Sequence, residues 1–450
     1  MSATFVHLSD IHFGQDVGKS SLYRHKDIKE RLIEDVGGFF HDFPAGSATG
    51  VLLAGDLAYK GKRQEYEEAG DWLDRLTAAA GCKPHAVQII PGNHDIDRDM
   101  ASKGVDLILD HLATSQGELN DFLLHEIDRK LLFCRFGAYS EFAEAYDCSV
   151  DEAGGPVGVW RVPVGPGRTL KILGLNSAIL CRQTNEKGEL LLGPNQTVIS
   201  PPRRGEFLAV MIHHPLDWIK DGEEAMKYIQ NRANVLISGH EHSNRCGMDK
   251  QVLTIDAGAV IPPMSKGTPL KKAKFGYSYN IIEFASEGAE EVLSVTIHTR
   301  RWSDTEKKFV SAKELKRFEL PARPSPQEYS LRGHKSETNL IGDEIAPILY
   351  DFFRKLKAPQ RTSLLNMFGV LPAQRSTRND RTALDEALRT EGATCICSMI
   401  EKLKRGEVVG NSGPRERHIP SQATGRSTRG RRRSKRKQSP TNELIDDASG

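Results

Sequence analysis

No stretch of this 450-residue chain reaches the roughly 18 uncharged apolar residues that a membrane-spanning helix requires, which excludes a helical membrane protein. The opening MSATFVHLSD lacks a basic segment followed by an apolar one and runs directly into a strand-like pattern, so a cytoplasmic protein is expected. Cysteine is scarce: seven residues at scattered spacings. An odd, irregular set excludes a disulfide framework and suits a reducing compartment. Cys395 and Cys397 form a C-x-C pair with no second pair to complete a thiolate site. No internal repeat is present. An excess of one charge is also missing, with 62 Lys and Arg against 60 Asp and Glu, a net +2. That balance hides a division. Residues 411–450 hold ten Lys/Arg and four Asp/Glu, a local +6, so the remainder carries −4.

What the chain does have is a recurring unit. Short apolar runs end in polar clusters: TFVHLSDIH (4–12), GVLLAGD (50–56), AVQIIPGNHD (86–95), LKILGLNS (170–177), FLAVMIHHP (207–215), ANVLISGHEH (233–242) and QVLTIDAG (251–258). Each reads as a buried strand that delivers polar residues at its C-terminal end. Helical patterns such as DIKERLIEDVGGFF (27–40) and QEYEEAGDWLDRLTAAA (64–80) lie between them. Strand–helix alternation predicts an α/β layered fold, and ligands in such folds sit outside the carboxyl ends of the strands.

Residues 97–147 break the rhythm and read as a helical, cap-like insertion. After 275, YSYNIIEFA and EEVLSVTIHTRRW read as an antiparallel hairpin that closes a first domain over 1–320. The Pro-rich stretch around LPARPSPQEYS marks a linker over 321–335, and 336–410 reads as a small helical domain. The basic tail, 411–450, has too little apolar character to seed a core and is expected to be disordered.

The polar residues at the strand ends form one chemical set. They are Asp10 and His12, Asp56, Asn93 and His94, His213 and His214, and His240 and His242. Carboxylates, an amide and imidazoles without a thiolate suit a borderline divalent metal such as Mn, Fe or Zn. Asp10/His12 and His240/His242 are i, i+2 pairs, which point to one face in extended backbone. Gly55 and Gly92 precede Asp56 and Asn93, where the chain must turn tightly. His7 lies inside its strand and reads as structural. Asp97 and Asp99 read as solvated charges, and Asp256 as a strand-end residue.

The motifs DIH (10–12), GDLAY (55–59), GNHD (92–95), HHP (213–215) and GHEH (239–242) stand in the order of the calcineurin-like metallophosphoesterases, which this chain resembles over roughly 1–320. GLNS (174–177) and the Gly193 to Gln196 stretch are similar to features of the cyclic-nucleotide phosphodiesterase branch. The resemblance implies a four-layer αββα sandwich and a dinuclear site. One ion would take Asp10, His12 and His242, the other Asn93, His213 and His240, with Asp56 bridging both. His94, oriented by Asp95, would protonate the leaving oxygen, and Asn93, His94 and His214 would approach the substrate. Two departures stand out. HHP offers two histidines, of which His213 matches the family ligand, and GHEH carries Glu241 where the family often has Ser or Thr.

The implied chemistry is hydrolysis of a phosphodiester or phosphomonoester. Two divalent ions about 3.5–4 Å apart bind the phosphoryl oxygens and lower the pKa of a bridging water, whose hydroxide attacks phosphorus. The implied substrate is a phosphorylated small molecule or nucleotide. The basic tail supports an alternative reading, a metal-dependent nuclease that retains nucleic acid through the tail. The 336–410 unit is weakly similar to the small death-like helical adaptors attached to bacterial effectors, which implies a protein partner.

Overall fold

Residues 207–212 are all buried, and they alternate between two apolar clusters. Phe207, Ala209 and Met211 join the cluster between two sheets, whereas Leu208, Val210 and Ile212 join a second cluster on the outer face. A strand of period two that is apolar on both faces must be covered on both faces, and that requirement sets the layering. The computed structural model describes residues 2–15, 22–114, 119–182, 187–261, 276–287, 291–312, 314–325, 344–374 and 376–407.

The first sheet contains β1 (Ser2–Leu8), β2 (Gly50–Leu53) and β3 (Val87–Ile89), and the second contains β4 (Val159–Gly165), β5 (Arg168–Gly174), β6 (Glu206–Ile212), β7 (Val235–Ser238), β8 (Arg245–Asp249) and β9 (Val252–Asp256). The chain then returns to the first sheet with β10 (Ser278–Ala285), β11 (Val292–Ser303), β12 (Lys308–Ser311) and β13 (Lys316–Pro321). Its order is β12-β11-β10-β1-β2-β3, with β13 also on β11, and the second sheet runs β4-β5-β6-β7-β9-β8. The pairs β1–β2, β2–β3, β5–β6 and β6–β7 are parallel, so their carboxyl ends fall along one edge of each sheet. The hairpin expected after 275 forms as β10 against β11, in register from Ser278–Arg301 to Ala285–Ser294. Phe5 on β1 meets Trp160 on β4 edge to face at 5.4 Å, which ties the sheets together.

Helices α1 (Leu22–Asp42) and α2 (Arg63–Ala79) cover the first sheet. The insertion supplies α3 (Lys103–Thr114), α4 (Leu119–Leu124), α5 (Glu126–Phe133) and α6 (Gly137–Ala143). With α7 (Pro194–Thr197) and α8 (Gly222–Arg232), most of them cover the second. The result is an αββα sandwich, as expected. Among the described residues no helix is long and apolar enough to cross a membrane.

Beyond the sandwich come α9 (Ile345–Tyr350), a π-helical turn over Asp351–Lys355, α10 (Ala358–Met367), α11 (Thr377–Glu391) and α12 (Ala393–Lys404). Their apolar faces merge with the sandwich core: Leu349 and Phe352 are fully buried in the same cluster as Trp72 and Tyr139. Charges frame that seam. Tyr350 and Lys355 both bond Asp74, Arg378 pairs with Glu152 at 2.6 Å, and Arg381 reaches Glu144 and Asp147 at 2.9 Å each. The linker expected over 321–335 lies largely outside the described residues, and the tail expected over 411–450 lies wholly outside them.

Candidate metal centre

The carboxyl ends of β1, β2 and β3 and those of β6 and β7 converge at one rim. Backbone bonds lock the loops together: Asp10 N–H donates to the Gly55 carbonyl at 3.1 Å, His12 N–H to the Asp56 carbonyl at 3.1 Å and Gly239 N–H to the His213 carbonyl at 3.2 Å. Such close approach requires glycine at two points. A Cβ on Gly55, which also has φ +94°, would stand 2.3 Å from His213 Nδ1, and one on Gly92 would stand 2.2 Å from Asp56 Oδ1. The convergence also bends the polar residues themselves. Of the eight described non-glycine residues with positive φ, five are Asp10, His12, Asp56, His240 and His242. Left-handed backbone is costly for residues with a Cβ and gathers at functional sites.

Asp56 stands at the middle of the group. Its Oδ2 lies 3.3 Å from His12 Nε2 and 3.4 Å from His213 Nε2, and its Oδ1 accepts the His94 N–H at 2.8 Å. Asp10 Oδ1 lies 3.0 Å from His242 Nε2 and 3.9 Å from His12 Nε2. Asn93 Oδ1 is 3.3 Å from His213 Nε2. The His240 ring packs 5.2 Å from His213 and 4.6 Å from His214. Three imidazoles share one arrangement. The Nδ1 of His12, His94 and His213 meets the carbonyl of Ile261 (3.1 Å), Tyr59 (2.8 Å) and Ala54 (2.7 Å). A carbonyl can only accept, so each Nδ1 carries a proton and it is Nε2 that each ring turns to the centre. This is how metal-ligating histidines are held.

The electrostatics follow from two carboxylates taken out of water. Burial opposes the charge on Asp10, yet His242 and His213 hold its carboxyl well below the usual range. Burial likewise opposes ionisation of Asp56, but His213, His94 and His12 outweigh it. In return, His213 overcomes its own burial through Asp56 and Asp10 and is pushed up to about 10, and His12 is raised by Asp56 in the same way. Burial instead drives His240 down to about 3, and it also lowers His214 and His94. The centre therefore combines anionic oxygens, which demand positive charge and draw it as protons onto His213 and His12 where a cation would otherwise supply it, with neutral imidazoles at His240, His214 and His94. Three groups of ligand atoms each fit within 4.8 Å: His213, His214 and His240; His12, Asp56 and His94; and Asp10, Asp56 and His213. This His/Asp donor set, free of thiolate, fits a divalent metal.

Two expected placements change. Asp95 does not orient His94. Its buried carboxylate accepts from the N–H groups of Ala58 (2.9 Å), Leu57 (3.3 Å) and Gly92 (2.9 Å) and from the Tyr66 hydroxyl (3.0 Å). It therefore braces the Asp56 and Asn93 loops, while the Tyr59 carbonyl and the Tyr59 ring, stacked at 5.1 Å, orient His94. Burial, then Asp56, raises the Asp95 carboxyl to about 6 against those donors. His214, expected at the substrate, is fully buried, with Nδ1 2.8 Å from Ser177 Oγ and Nε2 3.8 Å from Cys181 Sγ. The GLNS stretch thus supports the site from behind: Ser177 holds His214, and Asn176 is locked to Gln196 by backbone-to-amide bonds of 2.6 and 3.1 Å. Asp97 and Asp99 share Lys62 at 2.5 and 2.7 Å. Sequence reasoning missed Tyr59, Arg98 and Trp218. Tyr59 stood in plain view within GDLAY, whereas Arg98 follows GNHD, and Trp218, whose ring packs 4.4 Å from His240, follows HHP, without any pattern to mark them.

The profile of the calcineurin-like phosphoesterase family matches residues 3–244, more than half of the chain. The metallophosphoesterase-like protein YydB of Bacillus subtilis (strain 168) is 24% identical over 284 residues, which make up 58% of this chain and 54% of that protein. The chain thus spans about half the length of the curated relative it matches. Among solved structures, Vps29 of Cryptosporidium parvum aligns over 70% of this chain and 98% of its own at 12% identity and a TM-score of 0.32. A putative 5'-nucleotidase of Staphylococcus aureus aligns over 72% of this chain and 55% of its own at 14% identity and a TM-score of 0.32.

Proposed function

From the premise that the chain belongs to the calcineurin-like phosphoesterase family, we propose that it is a dinuclear metal-dependent hydrolase acting on a small phosphodiester or a nucleotide. One observation carries this reading. A single carboxylate oxygen of Asp56 lies between imidazoles delivered by both sheets, His12 at 3.3 Å and His213 at 3.4 Å, as a bridging ligand must. Asp10, His12 and His242 would hold one ion, and Asn93, His213 and His240 the other. Divalent ions bound there supply Lewis-acid stabilisation of charge on the phosphoryl oxygens.

The chain's own groups do the rest. Asn93 and His94 adjoin the substrate, and the Tyr59 carbonyl fixes which ring nitrogen of His94 faces it. Burial keeps that imidazole neutral, with Asp56 opposing. An incoming phosphoryl anion adds negative charge beside it and favours the protonated form, so that Nε2 can pass a proton to the leaving oxygen. Asp95 keeps the two loops in register while this happens.

The test is a turnover panel in Mn²⁺ with bis-p-nitrophenyl phosphate, p-nitrophenyl phosphate and cyclic nucleotides, alongside Asp56→Asn. Turnover in the wild type, reduced at least about 100-fold in the isosteric variant together with metal content, is the expected result. An inert wild type across the panel, or full activity in Asp56→Asn, refutes the proposal.

A further inference from the structure

Beside the metal centre lies a cleft of about 420 Å³ between the loop that follows Asn93 and the insertion helix α3. That volume lies within the range of small-molecule sites. Its walls include Ile96, Leu109 and Cys181, three basic residues, Arg98, Arg135 and Arg182, and two acidic ones, Asp106 and Asp110. Two of these arginines are committed to protein oxygens. Arg135 is fully buried, with Nη1 on the Cys181 carbonyl and Nη2 on the Ile179 carbonyl at 2.6 Å each, and Arg182 is held by Asp110 and the Leu109 carbonyl. Arg98 differs. Nη2 donates to the Asn93 carbonyl at 3.0 Å, and its Nε is buried without a partner among the described residues. A buried guanidinium N–H left unmatched is costly, so this donor edge points to a ligand.

The position of Arg98 says which part of the substrate it meets. It is fastened to the carbonyl of Asn93, next to His94, and its charge reaches the His94 ring. His94 serves the leaving group in the function proposed above, so the cleft lies on the leaving-group side of the centre. A neutral, apolar leaving group would gain nothing from a half-used guanidinium, whereas an anionic one would pair with it through charge-assisted bonds.

We propose that this cleft is a subsite for a second phosphoryl group, carried on the leaving-group portion of the substrate, with Arg98 as its principal donor. The inference rests on the phosphoesterase reading for its orientation. It narrows the substrate class from phosphoric esters in general to nucleotides that carry two separate phosphoryl groups.

Calorimetric binding of adenosine 3′,5′-bisphosphate and adenosine 5′-monophosphate to the full chain in Mn²⁺ tests it without relying on turnover. The wild type is expected to favour the bisphosphate by roughly tenfold to hundredfold, the scale of a charge-assisted pair. Arg98→Gln should collapse that ratio towards one, and Arg98→Lys should restore part of it. If Arg98→Gln fails to fold, Arg98→Met, which keeps the stem without the guanidinium, should show the same loss, whereas Arg182→Gln, whose guanidinium is held by Asp110 and the Leu109 carbonyl, should leave the ratio unchanged. No preference in the wild type, or a preference that survives loss of the Arg98 guanidinium in a folded protein, overturns the subsite. A bisphosphate preference in a protein that hydrolyses no ester would leave the subsite standing and sink the catalytic reading. Hydrolysis without the preference would do the reverse.

Discussion

His7 gives the sharpest prediction because its energetics can be worked from its surroundings. It lies within β1 opposite Leu52 and Asn280 and is fully buried, with neither ring nitrogen bonded among the described residues. Burial alone drives the imidazole from 6.5 down to about 3. The folded chain therefore keeps His7 neutral while the unfolded chain takes up a proton below pH 6.5. Stability from this residue is fully present above 6.5 and declines as pH falls towards 3, at about 1.4 kcal/mol for each pH unit. His7→Leu removes the titration and two unsatisfied polar atoms. The variant should be at least as stable as wild type at pH 7, and its advantage should widen by about 2.5 kcal/mol between pH 7 and pH 4.5. Urea unfolding of both proteins at the two pH values measures the difference. The other buried histidines titrate in both proteins and cancel from it. Parallel stability profiles, with no widening at low pH, would refute the reasoning.

Asp95→Asn and His94→Ala should separate by leaving group: His94→Ala should slow esters with poor leaving groups far more than p-nitrophenyl esters, by ~10²-fold or more. Asp95→Asn should lower all substrates alike and reduce the urea midpoint, because its carboxylate holds backbone and not the acid; a selective effect in Asp95→Asn would contradict this. Gly92→Ala drives a methyl group into Asp56, so turnover and metal content should fall together at a stability cost of about 1–3 kcal/mol. Metal analysis beside a melting curve checks it. Arg381→Met strands Glu144, 6% exposed, beside Asp147 without its counter-charge, which should cost about 2–4 kcal/mol and lower the melting temperature of the whole chain. An unchanged melt would mean that α11 does not bind as the ion pairs indicate.

The parallel strands were legible because each is a short apolar run that ends in polar residues, and a strand buried on both faces permits nothing else. The candidate ligands were legible from five motifs standing in a family's order, since a carboxylate or imidazole at the end of one such run alone is most often an ordinary loop residue. Roles that depend on where a side chain turns were not. Asp95 follows His94 directly, but adjacent residues in a tight loop diverge, and its carboxylate went to three backbone N–H groups. His213 and His214 look equivalent in sequence, yet Ser177 draws the second one inward. The seam of the C-terminal helices was opaque because it pairs residues hundreds apart, such as Arg381 with Glu144, through charges that look like ordinary surface until the helices meet.

The left-handed backbone at Asp10, His12, Asp56, His240 and His242 has a consequence for any attempt to harden this protein against heat. Glycine would relax each of these positions by about 1 kcal/mol, so an unguided screen for thermal tolerance is drawn towards the very residues that give the rim its donors. Robustness and reactivity pull against each other there, and tougher variants that still work will have to come from the seam on the far side of α2.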